Sequence, residues 1–218
     1  MAEKALRKEG LPATVRGEAT RRRLLDAAEQ EFGERGFHAA SVSAVTLRAG
    51  VSQGTFYIYF PSKEAIFSAV VEEVGRALRK HMGIAASRPG DRLQAQRAGL
   101  EAFLDFVQRH PGMYRIVQES QFVDAAVYRA YYERLAEGYA RTLAQDAARG
   151  ALAPGEALNR AWAIMAIGHV LGLRYCLWQG RMPEPAVLDA AMDFIADGIA
   201  PRIPGFEPPT LPATGPAR

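Results

Sequence analysis

Cysteine is almost absent from this chain of 218 residues, which carries a single thiol at Cys176. One cysteine cannot form an internal disulfide, so we expect a fold that suits a reducing compartment, the cytoplasm. Histidine is scarce as well, because the chain has four histidines and their spacing matches no zinc-binding pattern. The sequence therefore predicts no disulfide framework, no metal site and no cofactor.

Catalytic signatures are also missing. The chain has no phosphate-cradling Gly-Lys-Ser/Thr loop and no GxGxxG after a strand. Carboxylates are numerous, but their spacing singles out no pair, and Cys176 lies in an apolar stretch where a thiol is usually inert packing. We therefore expect no catalytic residues, and a small-molecule-binding enzyme remains only as an alternative.

Long hydrophobic runs are lacking too. The longest candidate, Ala161–Trp178, is interrupted by His169 and Arg174, so no run reaches the roughly 18 residues of a membrane span. Residues 1–17 are polar and charged and do not resemble a secretory signal. With 49% hydrophobic and 23% charged residues, the composition is that of an ordinary globular protein. We expect no membrane partner.

Helical periodicity runs through most of the chain, whereas no segment alternates as a β-strand does over a useful length. Apolar stripes at helical spacing are separated by glycine and proline, which predicts an all-α fold of about nine helices. The pattern indicates an N-terminal three-helix head and a larger C-terminal helical bundle.

The segment 41–63 is the most informative. A short helix near Ser43–Ala49 runs into Gly50, which supplies the positive φ of a tight turn between helices. A second helix opens with the small polar residues Ser52, Gln53, Gly54 and Thr55, which can approach base edges in a major groove. Residues 1–63 hold ten Lys/Arg and seven Asp/Glu, and thus the whole formal excess of +3. The segment is a predicted helix-turn-helix.

Residues 18–70 resemble the DNA-binding domain of the TetR family of bacterial repressors. The resemblance rests on an ordered set of positions: Phe32, Gly36-Phe37, Ser41-Val42, Ala49-Gly50-Val51-Ser52, Thr55–Phe60 and Ser62-Lys63-Glu64. It implies a flexible basic arm (1–17), a helix-turn-helix domain (18–61), an effector-binding and dimerisation domain (62–200) and a proline-rich tail (201–218).

Two kinds of DNA contact are expected. Base readout falls to Ser52, Gln53, Gly54 and Thr55, since Gln53 can pair bidentately with adenine. The residues expected to position the protein on the duplex are Ser41 and Ser43 at a helix start, Tyr59 through its phenol and, by the resemblance, Tyr57 and the phosphate-binding Lys63.

Other residues near this segment keep two interpretations. Arg21, Arg22 and Arg23 either touch the DNA backbone or form a solvated face. Thr46 and Arg48 are lesser candidates for phosphate contact. Phe56 and Phe60 are expected in the core, whereas Tyr57 and Tyr59 fall off the buried stripe.

The resemblance also implies a homodimer through the last two helices, because paired heads read a near-palindrome. Their apolar ridge is expected at Leu188, Met192, Ile195 and Ile199. The residues small enough to let partner helices approach are Ala157, Ala161, Ala163, Ala166, Gly168 and Gly172. Alternatively, these helices only fill the core of a monomer.

The aromatic-rich body is expected to bind a largely apolar effector. The candidate ligand-binding residues are Phe106, Tyr114, Phe122, Tyr132, His169 and Trp178, with Arg115 and Arg174 as partners of an acidic group or of a neighbouring carboxylate such as Glu119. The run His110–Phe122 is similar to a TetR subgroup tied to the breakdown of fatty or aromatic acids, which implies an acyl- or aryl-CoA. A drug-like cation is the competing ligand class.

The resemblance thus implies a ligand-responsive repressor that binds palindromic operator DNA as a homodimer and is released by its effector. A regulator without an effector, or an activator, remains open as an alternative.

Overall fold

The computed structural model describes residues 15–87, 92–149 and 156–197. Within these ranges the chain forms nine α-helices and one π-helical segment and contains no β-strand, so the all-α prediction is confirmed. The helices are α1 (Val15–Ala39), α2 (Val42–Ala49), α3 (Gln53–Tyr59), α4 (Lys63–Ala86), α5 (Arg92–Arg109), α6 (Pro111–Val123), α7 (Ala125–Ala148), α8 (Ala157–Leu171) and α9 (Pro185–Asp197), and the π-helical segment Gly172–Trp178 continues α8.

Helix ends differ modestly from those expected. Helix α1 already begins at Val15, and α4 continues past the expected end near His81 to Ala86. Helix α6 starts at Pro111 rather than at Met113, because proline is tolerated in the first turn of a helix, where its missing N–H has no partner to lose. The predicted arm and tail fall largely or wholly on residues 1–14 and 198–218, outside the described residues.

The chain divides into two compact units between Pro183 and Glu184. The first contains α1–α8 and the π-helical segment, and the second contains α9. The expected boundary at residue 61 does not separate compact units, because α1 packs on both α4 and α6. The division into residues 18–61 and 62–200 therefore remains a prediction about function.

Three helices meet at a point that we call the α1 corner, formed by Gly36, Phe37, Lys63 and Glu119. Gly36 interrupts α1 with φ 77° and ψ 166°. The next backbone N–H, of Phe37, donates a hydrogen bond of 2.7 Å to Glu119 Oε2 on α6. Lys63 Nζ, at the start of α4, donates to the carbonyls of Phe37 (2.9 Å) and Ala40 (3.1 Å).

Aromatic packing reinforces this corner. The Phe67 ring of α4 lies 5.1 Å from the Phe32 ring and 4.9 Å from the Phe37 ring, both in edge-to-face geometry. All three side chains are buried. Edge-to-face pairs add about 0.5–1.5 kcal/mol each beyond their burial, so this cluster holds α4 firmly against α1.

Helices α1 and α6 also cross at close range through two glycines. A Cβ on Gly112 would lie 3.0 Å from the Cα of Gly33, and a Cβ on Gly33 would lie 3.3 Å from the Cα of Gly112. The contact is backbone against backbone, so neither side can yield. Glycine at both positions allows the start of α6 to lie directly on α1.

Gly168 of α8 and Gly172 of the π-helical segment that continues it pack inside the chain and do not face a partner. A Cβ on Gly168 would lie 3.3 Å from Leu100 Cδ1, and one on Gly172 would lie 3.2 Å from Phe103 Cε1. Ala161 is buried as well. The expectation that these three residues let a partner helix approach is therefore wrong, because Gly168 and Gly172 face α5 and Ala161 has no exposed surface.

The continuous helix Ala157–Trp178 is long and apolar enough, by length and composition, to cross a membrane. The expectation that no segment reaches this length was wrong, because His169 and Arg174 interrupt the apolar run without ending the helix. One such helix is weak evidence for a span, since a core helix or a signal sequence can have the same length and composition.

We expect Gly36→Ala to destabilise the fold by about 1–3 kcal/mol, because its φ and ψ lie in a region essentially restricted to glycine. The new Cβ would also lie 2.8 Å from Glu119 Oε1. Urea denaturation measures the change. The matched control is Gly99→Ala in the interior of α5, whose Cβ meets nothing within 4 Å. The control should stabilise by about 0.5–1 kcal/mol, and equal effects of the two variants would contradict the assignment.

Candidate DNA interface and ligand cavity

The turn between α2 and α3 has the expected geometry. Gly50 adopts φ 64° and ψ 40°, and its N–H faces the carbonyls of Leu47 and Thr46. The Val51 N–H donates to the Thr46 carbonyl at 3.0 Å. These bonds satisfy the carbonyls at the end of α2 and set the angle at which α3 leaves.

The predicted base-reading residues lie together at the start of α3. Ser52 caps this helix, since its Oγ accepts from the Thr55 N–H at 3.1 Å and lies 2.9 Å from Thr55 Oγ1. Gln53 Nε2 donates to Ser43 Oγ on α2 at 2.7 Å. Ser43, Ser52, Gln53 and Gly54 are exposed. The two helices thus present one polar surface in which Gln53 is held in place by Ser43.

The aromatic residues of α3 divide as expected. Phe56 and Phe60 are buried, whereas Tyr57 is 54% exposed and Tyr59 is half-buried. Two exposed apolar side chains of this domain, Leu47 on α2 (84%) and Ile58 on α3 (68%), were not anticipated. Their exposure follows from the direction in which each short helix packs, which the local pattern does not reveal.

The expected phosphate-binding residues have intramolecular roles here. Ser41 caps α2 by accepting from the Ala44 N–H at 3.1 Å. Lys63 donates to two carbonyls at the α1 corner, and its ammonium lies 4.3 Å from the centre of the Phe37 ring. An ammonium has three N–H donors, so one remains for a phosphate. Contact of both residues with DNA stays a prediction.

Thr46 and Arg48 do not face the phosphates, contrary to the lesser expectation. Thr46 is buried and donates to the Ser43 carbonyl. Arg48 turns back to α1, where it binds Glu34 at 2.7 Å and Glu31 at 3.3 Å. Glu31 is only 2% exposed, so Arg48 neutralises a buried carboxylate and ties α2 to α1. The hydrogen bond from Arg48 lowers the pKa of Glu34.

The three consecutive arginines of α1 have separate neighbours. Arg22 pairs with Asp26 at 2.9 Å, and the Arg21 guanidinium lies over the Phe60 ring. Arg23 donates to Thr20 Oγ1 at 3.5 Å. Arg22 already has a carboxylate partner, and the choice between DNA contact and a solvated face stays open for all three arginines.

A small apolar cavity of about 40 Å³, the inner cavity, lies among α4, α5, α7 and α8 with Tyr114 of α6. Three of the expected ligand-binding residues line it together, namely Tyr114, Tyr132 and His169. The remaining lining residues are Met82, Gln96, Leu100, Phe103, Tyr131, Leu135, Tyr139, Ile164, Met165 and Gly168.

The polar groups of the inner cavity are neutral and paired. Tyr114 hydrogen-bonds His169 Nδ1, Gln96 donates to the Tyr139 hydroxyl, and Gln118 donates to the Tyr132 hydroxyl. Burial raises the pKa of Tyr114 and lowers that of His169, so both stay uncharged near neutral pH. The walls therefore suit an apolar chain, and a few hydroxyls can exchange partners with a polar atom of a ligand.

The other five expected ligand-binding residues lie away from the inner cavity, which corrects their assignment. Phe122 and Trp178 are exposed. Phe106 is buried between the rings of His81 and His110. Arg115 points to the Gly33 carbonyl of α1, and Arg174 lies over the Tyr175 ring. Neither arginine pairs with Glu119, whose carboxylate binds the Phe37 N–H.

Phe103, Tyr131 and Tyr139 line the cavity but were treated as ordinary core. They recur at helical spacing, as core aromatics do, and only their buried hydroxyls or position beside Gly168 distinguish them. The signal available in the sequence was the density of tyrosine on α7, where Tyr128, Tyr131, Tyr132 and Tyr139 follow one another.

Nothing in the described ranges resembles a catalytic or metal centre. No group of three or more His, Cys, Asp and Glu side chains that could hold a metal ion occurs in those ranges. Cys176 is buried, donates to the Leu104 carbonyl at 3.4 Å, and has a pKa raised by burial to about 11. Its thiol is therefore a poor nucleophile at neutral pH.

The capped helices α2 and α3, the glycine turn and the exposed polar start of α3 define a helix-turn-helix DNA-binding domain. Residues 24–70 match the family described as bacterial regulatory proteins, tetR family. The match covers the N-terminal helix-turn-helix part of the chain.

Relatives agree with this assignment. The chain is 48% identical over 65 residues to the HTH-type transcriptional regulator YdgC of Bacillus subtilis, covering 30% of this chain and 33% of that protein. It is 36% identical over 103 residues to the HTH-type transcriptional activator FasR of Mycolicibacterium smegmatis, covering 47% of each. The matches span between a third and a half of these relatives.

The fold has counterparts among solved structures. The regulator FadR of Bacillus subtilis, solved in complex with stearoyl-CoA, superposes with a TM-score of 0.67 over 83% of this chain and 100% of that one. Sequence identity is 16%, so this likeness concerns the fold alone.

We expect Arg48→Ala to lower the free energy of unfolding by about 1–3 kcal/mol, because it leaves the buried Glu31 carboxylate with only Arg35 near it. Arg23→Ala, a matched exposed arginine on α1, should change stability by less than about 0.5 kcal/mol. Thermal unfolding of the two variants measures these changes. An Arg48→Ala variant as stable as the wild type would exclude the structural role of Arg48.

Proposed function

We propose that this protein is a ligand-responsive transcriptional repressor that binds near-palindromic operator DNA as a homodimer in the cytoplasm. A largely apolar effector, with an acyl- or aryl-CoA as the candidate class, releases it from the operator. The observation that carries the proposal is the position of α6, which contributes Tyr114 to the inner cavity and Gly112 and Glu119 to α1.

Helix α6 provides a direct route from ligand to DNA surface. A ligand that separates Tyr114 from His169 shifts α6, and this helix holds the end of α1 through the Phe37 N–H. Helix α4 follows, since Lys63 and Phe67 are fixed to the same corner. Release requires only that the ligand bind one arrangement of these helices more tightly than the other.

The effector class is supported by the character of the inner cavity. Its walls are apolar and aromatic, with no carboxylate to attract a drug-like cation. FadR, which shares the fold, was solved with stearoyl-CoA, an apolar chain on an anionic carrier. An acyl or aryl thioester fits these walls better than a cation does.

A homodimer is supported by the uncovered side of α8. Only 28% of the most apolar window of Ala157–Trp178 is buried. Trp162, Ala163, Ala166 and Val170 are exposed and recur at helical spacing along one side. An apolar stripe of this kind is typical of a surface that another protein covers. We assign dimerisation to α8 and, separately, to α9, on which Phe194 is exposed. Leu188 and Met192 of the expected ridge are already buried in the single chain, so they offer no surface to a partner. Ile199 lies outside the described residues.

Activation is the second candidate, because FasR is named an activator. The DNA surface is the same in both cases, and the position of the operator relative to the promoter decides between them. A promoter–reporter fusion in cells with and without the protein separates the two outcomes.

Operator release tests the proposal. A labelled inverted-repeat duplex selected from a random pool by the purified protein should bind tightly, and decanoyl-CoA should weaken binding by about tenfold or more, a coupling typical of allosteric regulators. Gln53→Ala should lose the preference for the selected duplex, since a bidentate base contact contributes about 1–3 kcal/mol, and should still bind decanoyl-CoA. Binding that no acyl- or aryl-CoA alters would refute this effector class.

The oligomer is tested separately. Ala166→Glu places a charge in the exposed stripe of α8 and should convert a dimer to a monomer in analytical ultracentrifugation, because the charge loses its hydration when the surface is covered. Ala144→Glu is the matched control at an exposed alanine of α7 and should leave the dimer intact. A dimeric Ala166→Glu protein would show that this face is not the interface.

A further inference from the structure

A second concavity, the arginine groove, opens between α4, α5 and α7 with a volume of about 300 Å³. Arg79 and Arg141 line it. Neither residue stands out along the chain, where Arg115 and Arg174 were the arginines expected to bind an acidic group. The structure places Arg115 and Arg174 elsewhere.

The arginine groove adjoins the inner cavity. Met82, Leu135 and Tyr139 line both concavities and form a wall that the two share. Met82 and Leu135 are flexible or aliphatic side chains that can change rotamer, and Tyr139 carries a hydroxyl to the junction. One ligand can therefore occupy both, with its apolar part inside and its polar part in the groove.

The two arginines have no acidic partner among the described residues, whereas their neighbours do. Arg134 pairs with Glu72 at 3.4 Å, and Arg76 pairs with Glu73. Arg79 is half-buried, and its pKa is lowered first by burial and then by the positive charge of Arg134. A partly desolvated cation beside another cation is stabilised by an added anion.

The groove also has room for a bulky group. Gly83 and Gly99 line it, and a Cβ on either would meet nothing within 4 Å. Helix interiors usually avoid glycine, which costs about 1 kcal/mol relative to alanine. Here the two glycines remove side chains from the floor of the groove and leave its space open.

The geometry points to a binding site for an anionic head group: we propose that Arg79 and Arg141 recognise the charged, phosphate-bearing end of an amphipathic effector whose apolar chain enters the inner cavity past Met82. This inference rests on the proposed function and specifies the effector as an amphipathic anion. Guanidinium groups pair with phosphate and carboxylate through charge-assisted hydrogen bonds, and a CoA carrier offers several phosphates.

A competing opening of about 550 Å³ lies among α6, α7 and α8. It shares Tyr132, Met165 and His169 with the inner cavity, and Arg129 and Glu133 line it. These two side chains carry opposite charges, so this opening offers no net attraction for an anion. It serves as the internal control.

The test compares charged and neutral ligands of one chain length. Isothermal titration of the full-length protein with decanoyl-CoA, decanoate and decanol should show tightest binding of decanoyl-CoA. The double variant Arg79→Gln/Arg141→Gln should weaken decanoyl-CoA by about tenfold or more, because charge-assisted hydrogen bonds are lost, and should leave decanol unchanged. Arg129→Gln should change neither ligand. An equal loss for decanoate identifies a carboxylate as sufficient, and a loss confined to decanoyl-CoA identifies the phosphates.

A second pair of variants tests the groove by volume. Gly99→Leu should block decanoyl-CoA and still admit decanol, whereas Gly99→Ala should admit both, and unfolding curves confirm that both variants fold.

The inference is overturned if the arginine variants bind decanoyl-CoA as the wild type does, or if Arg129→Gln causes the larger loss. If decanol binds but decanoyl-CoA and decanoate bind no more tightly, the proposed head-group site is refuted, and the proposal of an apolar effector is retained. If no ligand of the three binds, the proposed effector class fails with it.

Discussion

The hydrogen bond from the Phe37 N–H to Glu119 is the contact on which the arrangement of this molecule depends. It requires the positive φ of Gly36, and it leaves the Phe37 carbonyl free to accept from Lys63. Helix α1 precedes the pair of helices that reads DNA, α4 follows that pair, and α6 reaches the inner cavity. These three helices therefore meet at Phe37. Because buried polar groups are costly when unpaired, these three helices can change their relative positions only by exchanging this set of bonds together.

Charge and apolarity are separated in the body. The inner cavity holds only neutral polar groups, each with a partner inside the chain, so its walls select shape and apolar character. Charge selection falls to the arginine groove, where burial and a neighbouring arginine disfavour the cation of Arg79. Solvation explains this separation, because binding an anion costs far less free energy at a solvent-exposed opening than in a buried apolar interior.

The DNA-binding domain was predictable because its signals are local. Gly50 and the buried Phe56 and Phe60 act on neighbours a few positions away, and all three adopt the expected geometry. The ligand-lining residues were predictable only in part. Tyr114, Tyr132 and His169 come together as expected, but an aromatic at helical spacing reads the same whether it fills a core or lines a cavity. Arg48 was misread for a similar reason, because its acidic partners lie on another helix.

By itself the sequence determined the helical class and the turn between α2 and α3, since each follows from periodicity, capping and backbone freedom within short segments. It also showed the resemblance of the N-terminal segment to a DNA-binding family, which residues 24–70 match. Only the tertiary structure decided which cations are satisfied and which await an anion. Arg115 and Arg174 looked like effector partners along the chain, whereas packing of α4 against α7 placed Arg79 and Arg141 at the cavity mouth. The interaction energy of two charges depends on the distance between them, and the sequence does not give that distance for residues on different helices.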